Sequence, residues 1–310
     1  RALSLDKTLL SLTKQAYKNF EVIVVDYKSS DDTESVIKKY SKKLHIKVIR
    51  QKTKGLSKAA NQALKQARGK IFIRTDDDVI MSKNWLLAIW NTFSKNKDVG
   101  GVTGPTVIPV AFRKNRDLFI IEERFKKGNI LWKLIGSLYF GYFMDGQPRR
   151  VGHWFDSGAF GLGSNFPEAK NEKQHEVSNL EACNFSVRKN LLKKIGGFDT
   201  FYSGVGEYHE PDAAFKIKGL GYKLIFNPKA SLNHCPSKQG FFNDRPESYS
   251  RMINFIVFYR RHIKLDSLRK FFHFIPYLIF LDAYYIYTAV KTKQLKQLGA
   301  IPGTIVGFLK

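Results

Sequence analysis

Residues 70–79 read KIFIRTDDDV, a short apolar run that ends in three consecutive aspartates. The apolar run predicts a buried β-strand. Alternate residues of an extended chain point the same way, so we expect Asp76 and Asp78 to share a face. Two carboxylates held this close repel each other unless a cation lies between them, and oxygen ligands favour Mg²⁺ or Mn²⁺. The stretch therefore predicts a divalent-metal site, with acidic residues that merely begin a helix as the alternative.

Strands and helices alternate on both sides of this stretch. Apolar runs of strand length occupy residues 20–26, 45–50, 70–73 and 99–103, and amphipathic helical patterns lie between them. The alternation predicts an α/β fold with an open, mostly parallel sheet flanked by helices. Ligands of such sheets bind beyond the carboxyl ends of the strands, where Asp26 and the three aspartates fall. The sequence has neither G-x-G-x-x-G nor a P-loop, so a dinucleotide enzyme or a P-loop NTPase is not supported.

The composition indicates a globular protein with an anionic partner. The chain has 310 residues, of which 43% are hydrophobic, and its 52 basic against 27 acidic residues give a net charge of +25. Such an excess favours nucleic acid, anionic lipid or a phosphorylated substrate as partner. The two cysteines, Cys183 and Cys235, form no disulfide framework and suit a reduced cytosol. The chain starts at Arg1 without a methionine or signal peptide, which leaves room for native residues before it.

A series of short motifs follows an order that resembles family 2 glycosyltransferases of the GT-A fold. The motifs of the first half are VVD at 24–26, SSDDT at 29–33, KGLS at 54–57 with Ala59 and Asn61, Gly69, and DDD at 76–78. Those of the second half are GGFD at 196–199, EPD at 210–212, GLGY at 219–222, NPKA at 227–230, and His234. Each motif is weak alone, but their common order over residues 20–234 makes coincidence implausible. The resemblance implies a GT-A, Rossmann-like fold.

The resemblance also implies roles for the acidic residues. Members of the family transfer a sugar from a nucleotide-diphosphate donor to an acceptor, many with inversion. Asp76 and Asp78 would form the metal-binding D-x-D motif, and His234 looks like the histidine that also reaches the metal or the diphosphate. Glu210 matches the carboxylate that acts as general base, with Asp212 as the reserve candidate.

On the donor side, the resemblance places Asp26 and the Lys54 region by the nucleoside, with Asp76 and Asp77 also facing the donor. The sequence departs from the family pattern at Tyr27, where many members have a second aspartate. The family's opening strand normally precedes the position of Arg1.

Each of these side chains also has a purely structural interpretation. The acidic residues of 210–212 are welcome at a helix N-terminus. His234 is as readily a hydrogen-bonded histidine at a strand end as a metal ligand. Asp26 is also typical of a turn after a strand, and Lys54 of a solvated surface charge.

The last part of the chain changes character. Residues 271–287 are rich in aromatic side chains, with basic residues before and after them. About 20 residues are enough to span a bilayer, but His273, Pro276 and Asp282 interrupt the segment. A charge near the middle of a membrane costs roughly 2.5–3.5 kcal/mol, so we expect helices that lie in the membrane interface. The alternative is that these helices pack on the catalytic domain or on another subunit.

The sequence therefore predicts a GT-A catalytic domain at 1–240 and a C-terminal amphipathic, aromatic helical region at 241–310 that associates with a membrane. Within the catalytic domain, 1–104 would be the nucleotide-sugar-binding half and 105–240 the acceptor and catalytic half.

The predicted function is a metal-dependent inverting glycosyltransferase that uses Mn²⁺ or Mg²⁺ at the cytoplasmic face of the cell membrane, as a peripheral or monotopic protein. Its partners would be a nucleotide-sugar donor, a lipid-linked or cell-surface glycan acceptor and the membrane surface, and no nucleic acid is expected. The alternatives are a nucleotidyltransferase-like enzyme on a similar sheet, which would not need Glu210, and a non-catalytic basic protein that binds nucleic acid, which would give 76–78 no role.

Overall fold

The computed structural model of the chain describes residues 1–113, 117–202, 207–236 and 248–310. The chain divides into two compact units. The first comprises Arg1–Ile108 and Ser164–Asn243, and the second comprises Pro109–Gly163 and Asp244–Lys310. Residues 109–163, which the sequence assigned to the catalytic domain, thus belong to the same compact unit as the C-terminal segment. The division of 1–240 into a donor half and an acceptor half stays a prediction.

The strands all lie in the first unit. Among the described residues they are β1 (Val22–Asp26), β2 (Ile46–Arg50), β3 (Ile71–Arg74), β4 (Val79–Met81), β5 (Val99–Thr103), β6 (Thr106–Val107), β7 (His175–Val177), β8 (Phe185–Arg188), β9 (Lys223–Phe226) and β10 (Leu232–His234).

Helices occur in both units. Those described are α1 (Ala2–Thr13), α2 (Thr33–Ser41), α3 (Leu56–Gln66), α4 (Trp85–Lys95), α5 (Asp117–Lys127), α6 (Ile130–Gly136), α7 (Lys189–Lys194), α8 (His209–Gly219), α9 (Ser248–Phe258), α10 (Leu268–Thr292) and α11 (Ala300–Leu309). The second unit contains α5, α6, α9, α10 and α11.

The described strands form three sheets, of which one is parallel and two are mixed, so the prediction of a mostly parallel sheet is wrong for the described residues. The sheets have the orders β1-β2, β4-β10-β6 and β3-β8-β5-β9-β7. Pairing is parallel between β1 and β2, β6 and β10, and β5 and β9. It is antiparallel between β4 and β10, β3 and β8, β5 and β8, and β7 and β9. A buried apolar strand has the same sequence pattern in either direction, which is why the pattern did not predict this.

The core of the first unit fixes the loop of three aspartates. Apolar side chains of α1, α4 and β5 pack around Val79, the first residue of β4, which is fully buried. The Thr8 hydroxyl of α1 hydrogen-bonds to the carbonyl oxygens of Asp77, at 2.9 Å, and Val79, at 2.8 Å. The aspartates therefore lie between β3 and β4 and are tied to α1. This packing limits their freedom to move.

The second unit is helical, as the sequence predicts for its C-terminal part. In this unit α11 packs closely on α9 at Gly303. Any larger residue would clash there, since a Cβ atom would lie 2.5 Å from the Tyr249 carbonyl oxygen. Helix α10 runs for 25 residues and includes Pro276. Among the described helices, none combines the length and the hydropathy that crossing a bilayer requires. Association of this region with a membrane stays a prediction.

Candidate active site

Three predicted metal ligands come together at one edge of the strands. Asp76 and Asp78 lie between β3 and β4, and His234 ends β10. Because β10 pairs antiparallel with β4, His234 lies opposite Val79, and the Cys235 amide donates to the Asp78 carbonyl oxygen at 2.8 Å. This pairing brings the His234 Nε2 atom to 3.4 Å from Asp78 Oδ1.

This group is suited to a metal ion. One ligand atom from each of Asp76, Asp78 and His234 lies within 4.8 Å of the other two. Two carboxylates and one imidazole suit Mn²⁺ and related divalent cations, and carboxylates alone suit Mg²⁺. Asp78 and His234 are both buried, so their positions are fixed by the surrounding protein. The donor set therefore fits the predicted cation.

Asp77 is not one of the three candidate ligands, and Arg1 lies between it and Asp78, with 3.7 Å from Arg1 Nη2 to Asp78 Oδ2. The Asp77 carboxylate pairs with the Arg1 guanidinium, with 2.7 Å between Nε and Oδ2. Asp77 and Asp78 lie in a turn, so the extended conformation that the sequence predicts is wrong at these two residues. The donor-binding role of Asp77 stays a prediction.

Arg74 connects the metal group to Glu210. It is the last residue of β3, its side chain is only 14% exposed, and its Nη1 atom lies 3.0 Å from Asp76 Oδ1. Its Nε atom lies 3.3 Å from Glu210 Oε1, and its guanidinium also donates to the Ala182 carbonyl oxygen. Burial lowers the pKa of Arg74, but the charges of Asp76 and Glu210 outweigh it and raise the pKa above its ordinary value. The guanidinium therefore stays charged between the two carboxylates.

Glu210 is held on its other oxygen as well. The His209 Nδ1 atom lies 3.1 Å from Glu210 Oε2, and both side chains are at least 95% buried. The His209 ring meets Phe198 edge-on, with 5.3 Å between the ring centroids. The preceding residue, Tyr208, has a φ of 80°, a left-handed conformation that a bulky residue adopts only when its surroundings enforce it. The contacts at the start of α8 therefore fix the direction of the Glu210 carboxylate.

Asp212 lies in a different environment, although it is only two residues away. Its Oδ2 atom lies 2.7 Å from the Lys216 ammonium, one turn further along α8. The Tyr202 hydroxyl hydrogen-bonds to its Oδ1 atom at 3.3 Å. Residues two apart on a helix point in roughly opposite directions, so Asp212 and Glu210 face different neighbours. Of the two, Glu210 is the one connected to the metal group.

The predicted nucleoside contacts lie on the separate β1-β2 sheet. Asp26 ends β1 and is buried, and Arg50 lies directly opposite it on β2, with 2.5 Å between Nη1 and Oδ2. Burial raises the pKa of Asp26, but hydrogen bonds from Ser29 and Arg50 outweigh burial and lower it. Lys54 is exposed in the segment between β2 and α3. The roles of Asp26 and Lys54 toward a nucleoside stay predictions.

Glu181 of the first unit was not predicted from the sequence, and it is a half-buried residue. Its amide donates to Thr103 Oγ1 at the end of β5, at 3.1 Å. Its Oε1 atom is buried and has no hydrogen-bond partner among the described residues. Burial raises the pKa of Glu181 to about 7, although the Ser164 hydroxyl and His234 both favour the ionised form. The signal was an acidic residue within the largely apolar segment 180–183.

Arg74 and His209 were also missed as site residues. Arg74 stands inside the quoted stretch, where one charged residue in an otherwise apolar strand was the available signal. His209 directly precedes Glu210, but nothing in the sequence indicates that its ring turns toward that carboxylate.

Comparison with known proteins identifies related sequences and folds. The model of the family described as Glycosyl transferase family 2 matches residues 1–196. The glucosyl-dolichyl phosphate glucuronosyltransferase of Haloferax volcanii is 22% identical over 237 residues, which make up 74% of this chain and 64% of that protein. The chain thus spans less than two thirds of the length of this relative.

Solved structures of glycosyltransferases share the fold. The mannosyltransferase PcManGT of Pyrobaculum calidifontis, in complex with GDP-Man and Mn²⁺, superposes with a TM-score of 0.56 at 16% identity, over 99% of this chain and 84% of that one. Residues 1–349 of TarS from S. aureus, in complex with UDP-GlcNAc, give a TM-score of 0.56 at 19% identity, over 98% of this chain and 75% of that one. At these identities the likeness concerns the fold, which is GT-A.

Proposed function

Since this chain belongs to glycosyl transferase family 2, we propose that it transfers a sugar, with inversion, from a nucleotide-diphosphate donor to a hydroxyl group of a glycan acceptor. The family makes it a glycosyltransferase, and the stereochemistry, the metal dependence and the substrates are the proposal. The observation that carries it is the connection through Arg74 between Asp76 of the metal group and Glu210. This connection supports the proposal, because the candidate metal ligands and the candidate base then belong to one group of side chains in contact.

Asp76, Asp78 and His234 would hold Mn²⁺ or Mg²⁺. When bound, such a cation stabilises the negative charge that grows on the leaving diphosphate. The task of the protein is to keep the two carboxylates and the imidazole close together before the cation arrives. The pairing of β4 with β10 and the buried position of Val79 support this role.

Glu210 would act as the general base that removes the proton from the attacking hydroxyl. Arg74 and His209 each engage one of its oxygens, so the carboxylate has a fixed orientation. A carboxylate has about four lone-pair sites, so it can accept the acceptor's proton while keeping both of these contacts. A positioned base of this kind contributes about 10²–10⁴ to the rate.

The donor can be identified by ligand-induced stabilisation. A panel of nucleotide-sugars, each with Mn²⁺, is scored by thermal shift, and it includes UDP-GlcNAc and GDP-Man, which the related structures contain. A true donor at a hundred times its dissociation constant should add about 2.7 kcal/mol to the free energy of unfolding. Transfer is then measured with the donors that bind. If no nucleotide-sugar stabilises the protein, the proposal is wrong.

We further propose a lipid-linked or cell-surface glycan precursor as the acceptor and the cytoplasmic face of the cell membrane as the location. The name of the Haloferax relative contains a dolichyl phosphate, and the net charge of +25 suits an anionic membrane surface. The test is cell fractionation with a protease-accessibility assay on inside-out vesicles. We expect the protein in the membrane pellet and accessible from the cytoplasmic side, and recovery only in the soluble fraction would contradict this location.

A further inference from the structure

The outward face of α10 is apolar along nearly its whole length. One stripe of exposed or half-buried positions at helical spacing is entirely apolar, and it comprises Leu268, Phe272, Pro276, Ile279, Ala283, Ile286 and Val290. The five large side chains of this stripe are between 41% and 76% exposed. At 1.5 Å per residue the stripe is about 33 Å long. A helix on the surface of a soluble domain normally shows the reverse pattern, with its polar face outward.

A second helix of the same unit lies beside α10 and extends this stripe. This helix is α6 with its π-helical continuation, Ser137–Tyr142. As the residue numbers rise along this segment, the numbers of their aromatic partners on α10 fall. Trp132 contacts Tyr287 (6.2 Å between centroids), Tyr139 contacts Phe280 (5.5 Å), and Tyr142 stacks on His273 (4.5 Å). The two segments therefore run antiparallel along each other.

This second helical segment also has an exposed apolar face. Its exposed large side chains are Ile130, Leu131, Leu134, Leu138 and Tyr142.

The third member of this layer is α11, on the other side of the stripe. The Thr304 hydroxyl of α11 hydrogen-bonds at 3.0 Å to Asp282 of α10, the residue that interrupts the apolar segment in the sequence. Asp282 lies on one flank of the exposed stripe, whereas Phe280 and Tyr287, which contact the α6 segment, lie on the other. Helix α10 thus lies between the other two. The exposed apolar residues of α11 are Ile301, Ile305, Phe308 and Leu309.

We propose that these three apolar faces, here called the three-helix surface, dock on the surface of an anionic lipid bilayer. A monomeric soluble protein rarely exposes a continuous apolar patch of more than a few hundred Å², so a surface of three adjoining helices indicates a binding partner. The proposal rests on the proposed function, because it gives the transferase access to a lipid-linked acceptor. It adds that α6, far from the tail in sequence, is part of the membrane contact.

Charge complementarity favours a lipid bilayer over a second protein copy. Since Trp132 near the start of α6 contacts Tyr287 near the end of α10, the flanking lysines of both helices gather at the same end of the surface. They are Lys133, Lys291, Lys293 and Lys296, all exposed, whereas the nearby Lys126 and Lys127 pair with Glu122 and Glu123. Long lysine side chains at the edge of an apolar face suit anionic lipid headgroups, whereas lysine is depleted in protein–protein interfaces. The stripe on α10 itself carries no charge.

The experiment uses the full chain and three double variants of exposed residues. The first is Leu131→Gln with Leu134→Gln on α6, and the second is Ile279→Gln with Ile286→Gln on α10. The control, Leu3→Gln with Leu10→Gln, changes two exposed leucines seven residues apart on α1 in the other unit. Binding is measured by cosedimentation with vesicles of phosphatidylcholine, with and without phosphatidylglycerol, at low and high salt.

We expect the unmodified protein and the α1 control to bind the anionic vesicles and to bind less at high salt. The α6 and the α10 variants should each lose at least tenfold in vesicle affinity with unchanged melting temperatures, because the altered side chains are exposed. Unchanged binding by the α6 variant would overturn the three-helix surface. A dimer in light scattering that the α10 variant converts to monomers would assign the surface to a second copy instead.

Failure of this proposal can be told apart from failure of the proposed function. Stabilisation by a nucleotide-sugar depends on the first unit and is measured on the same variants without vesicles. If the donor stabilises every variant while none of the proteins binds vesicles, the proposed reaction is supported and the docking surface is refuted. If the protein binds vesicles as expected but no nucleotide-sugar stabilises it, the docking surface is supported and the proposed reaction is refuted.

Discussion

Glu210→Gln and Asp212→Asn form a matched pair of neutralising substitutions on one turn of α8. Glutamine keeps the size of Glu210 and an oxygen that can accept from Arg74, but it cannot accept the acceptor's proton. Asparagine at 212 removes the charge that pairs with Lys216 at 2.7 Å. We expect the first substitution to affect mainly the rate of transfer and the second to affect mainly the stability of the fold.

The magnitudes follow from the two environments. Loss of a general base costs about 10²–10⁴ in kcat, which is about 2.7–5.4 kcal/mol at 1.36 kcal/mol per factor of ten. Breaking a fully buried ion pair costs about 3–5 kcal/mol, but the Lys216 side chain is 34% exposed and can return to water. We therefore expect Asp212→Asn to lower the free energy of unfolding by about 1–3 kcal/mol and to leave most of kcat intact.

The assay measures kcat per folded molecule, the melting temperature and the donor-induced thermal shift on the same preparations. Glu210→Gln should keep the donor shift while losing transfer, and because its pair with Arg74 is buried we also expect a lower melting temperature, which kcat per folded molecule takes into account. If Asp212→Asn is inactive and fully stable while Glu210→Gln remains active, Asp212 is the base. If both variants lose the donor shift, the acidic cluster holds the metal or the fold, and neither residue is the base.

Substitutions at three further positions test the rest of the first unit. Asp78→Asn should abolish both transfer and the thermal shift that Mn²⁺ induces, and a normal Mn²⁺ shift in this variant would contradict the metal assignment. Arg74→Met should lower kcat at least tenfold, with partial recovery in Arg74→Lys, and equal activity of both variants would show that the charge at this position is not needed. Glu181, with its pKa raised from 4.5 to about 7, keeps its proton while the unfolded chain loses it, so stability falls as the pH rises from 4.5 to 7. Glu181→Gln should therefore stabilise the metal-free protein by up to about 3 kcal/mol at pH 8 and hardly at all at pH 4.5 in urea unfolding, whereas an equal effect at both pH values would refute the titration of Glu181.

The sequence predicted the residues of the metal group better than the arrangement of the strands. Asp76 and Asp78 are two residues apart, so they lie close together without any long-range contact, although the structure has a turn at Asp77 and Asp78 where the pattern predicted an extended chain. His234 was placed only by family resemblance, since its approach depends on how β10 pairs with β4, which is a long-range contact. Strand direction is likewise decided by tertiary pairing, so the mixed sheets were not predictable from apolar runs.

The neighbours of the proposed base were beyond sequence reasoning for a similar reason. Arg74 and Glu210 are 136 positions apart, and a buried ion pair at such a separation leaves no periodic signal. The sequence pattern is weak over residues 109–163, because aromatic residues are mixed there with basic and glycine-rich stretches. The packing partners of this segment are helices near the C-terminus, and such a partnership is invisible in a local window.

The guanidinium of Arg74 gives the acidic site a permanent internal counter-charge. In many small metal-binding domains the ion is a structural element, and chelation unfolds the chain because only the ion offsets the repulsion of its ligands. Here the Arg74 guanidinium pairs with Asp76, one of the candidate ligands, and with the neighbouring Glu210, and so offsets part of the negative charge of the site. The arrangement of the site is therefore set by the fold, and removal of the cation should not unfold the chain. We therefore expect the side chains of the site to keep their arrangement when neither the cation nor the donor is bound.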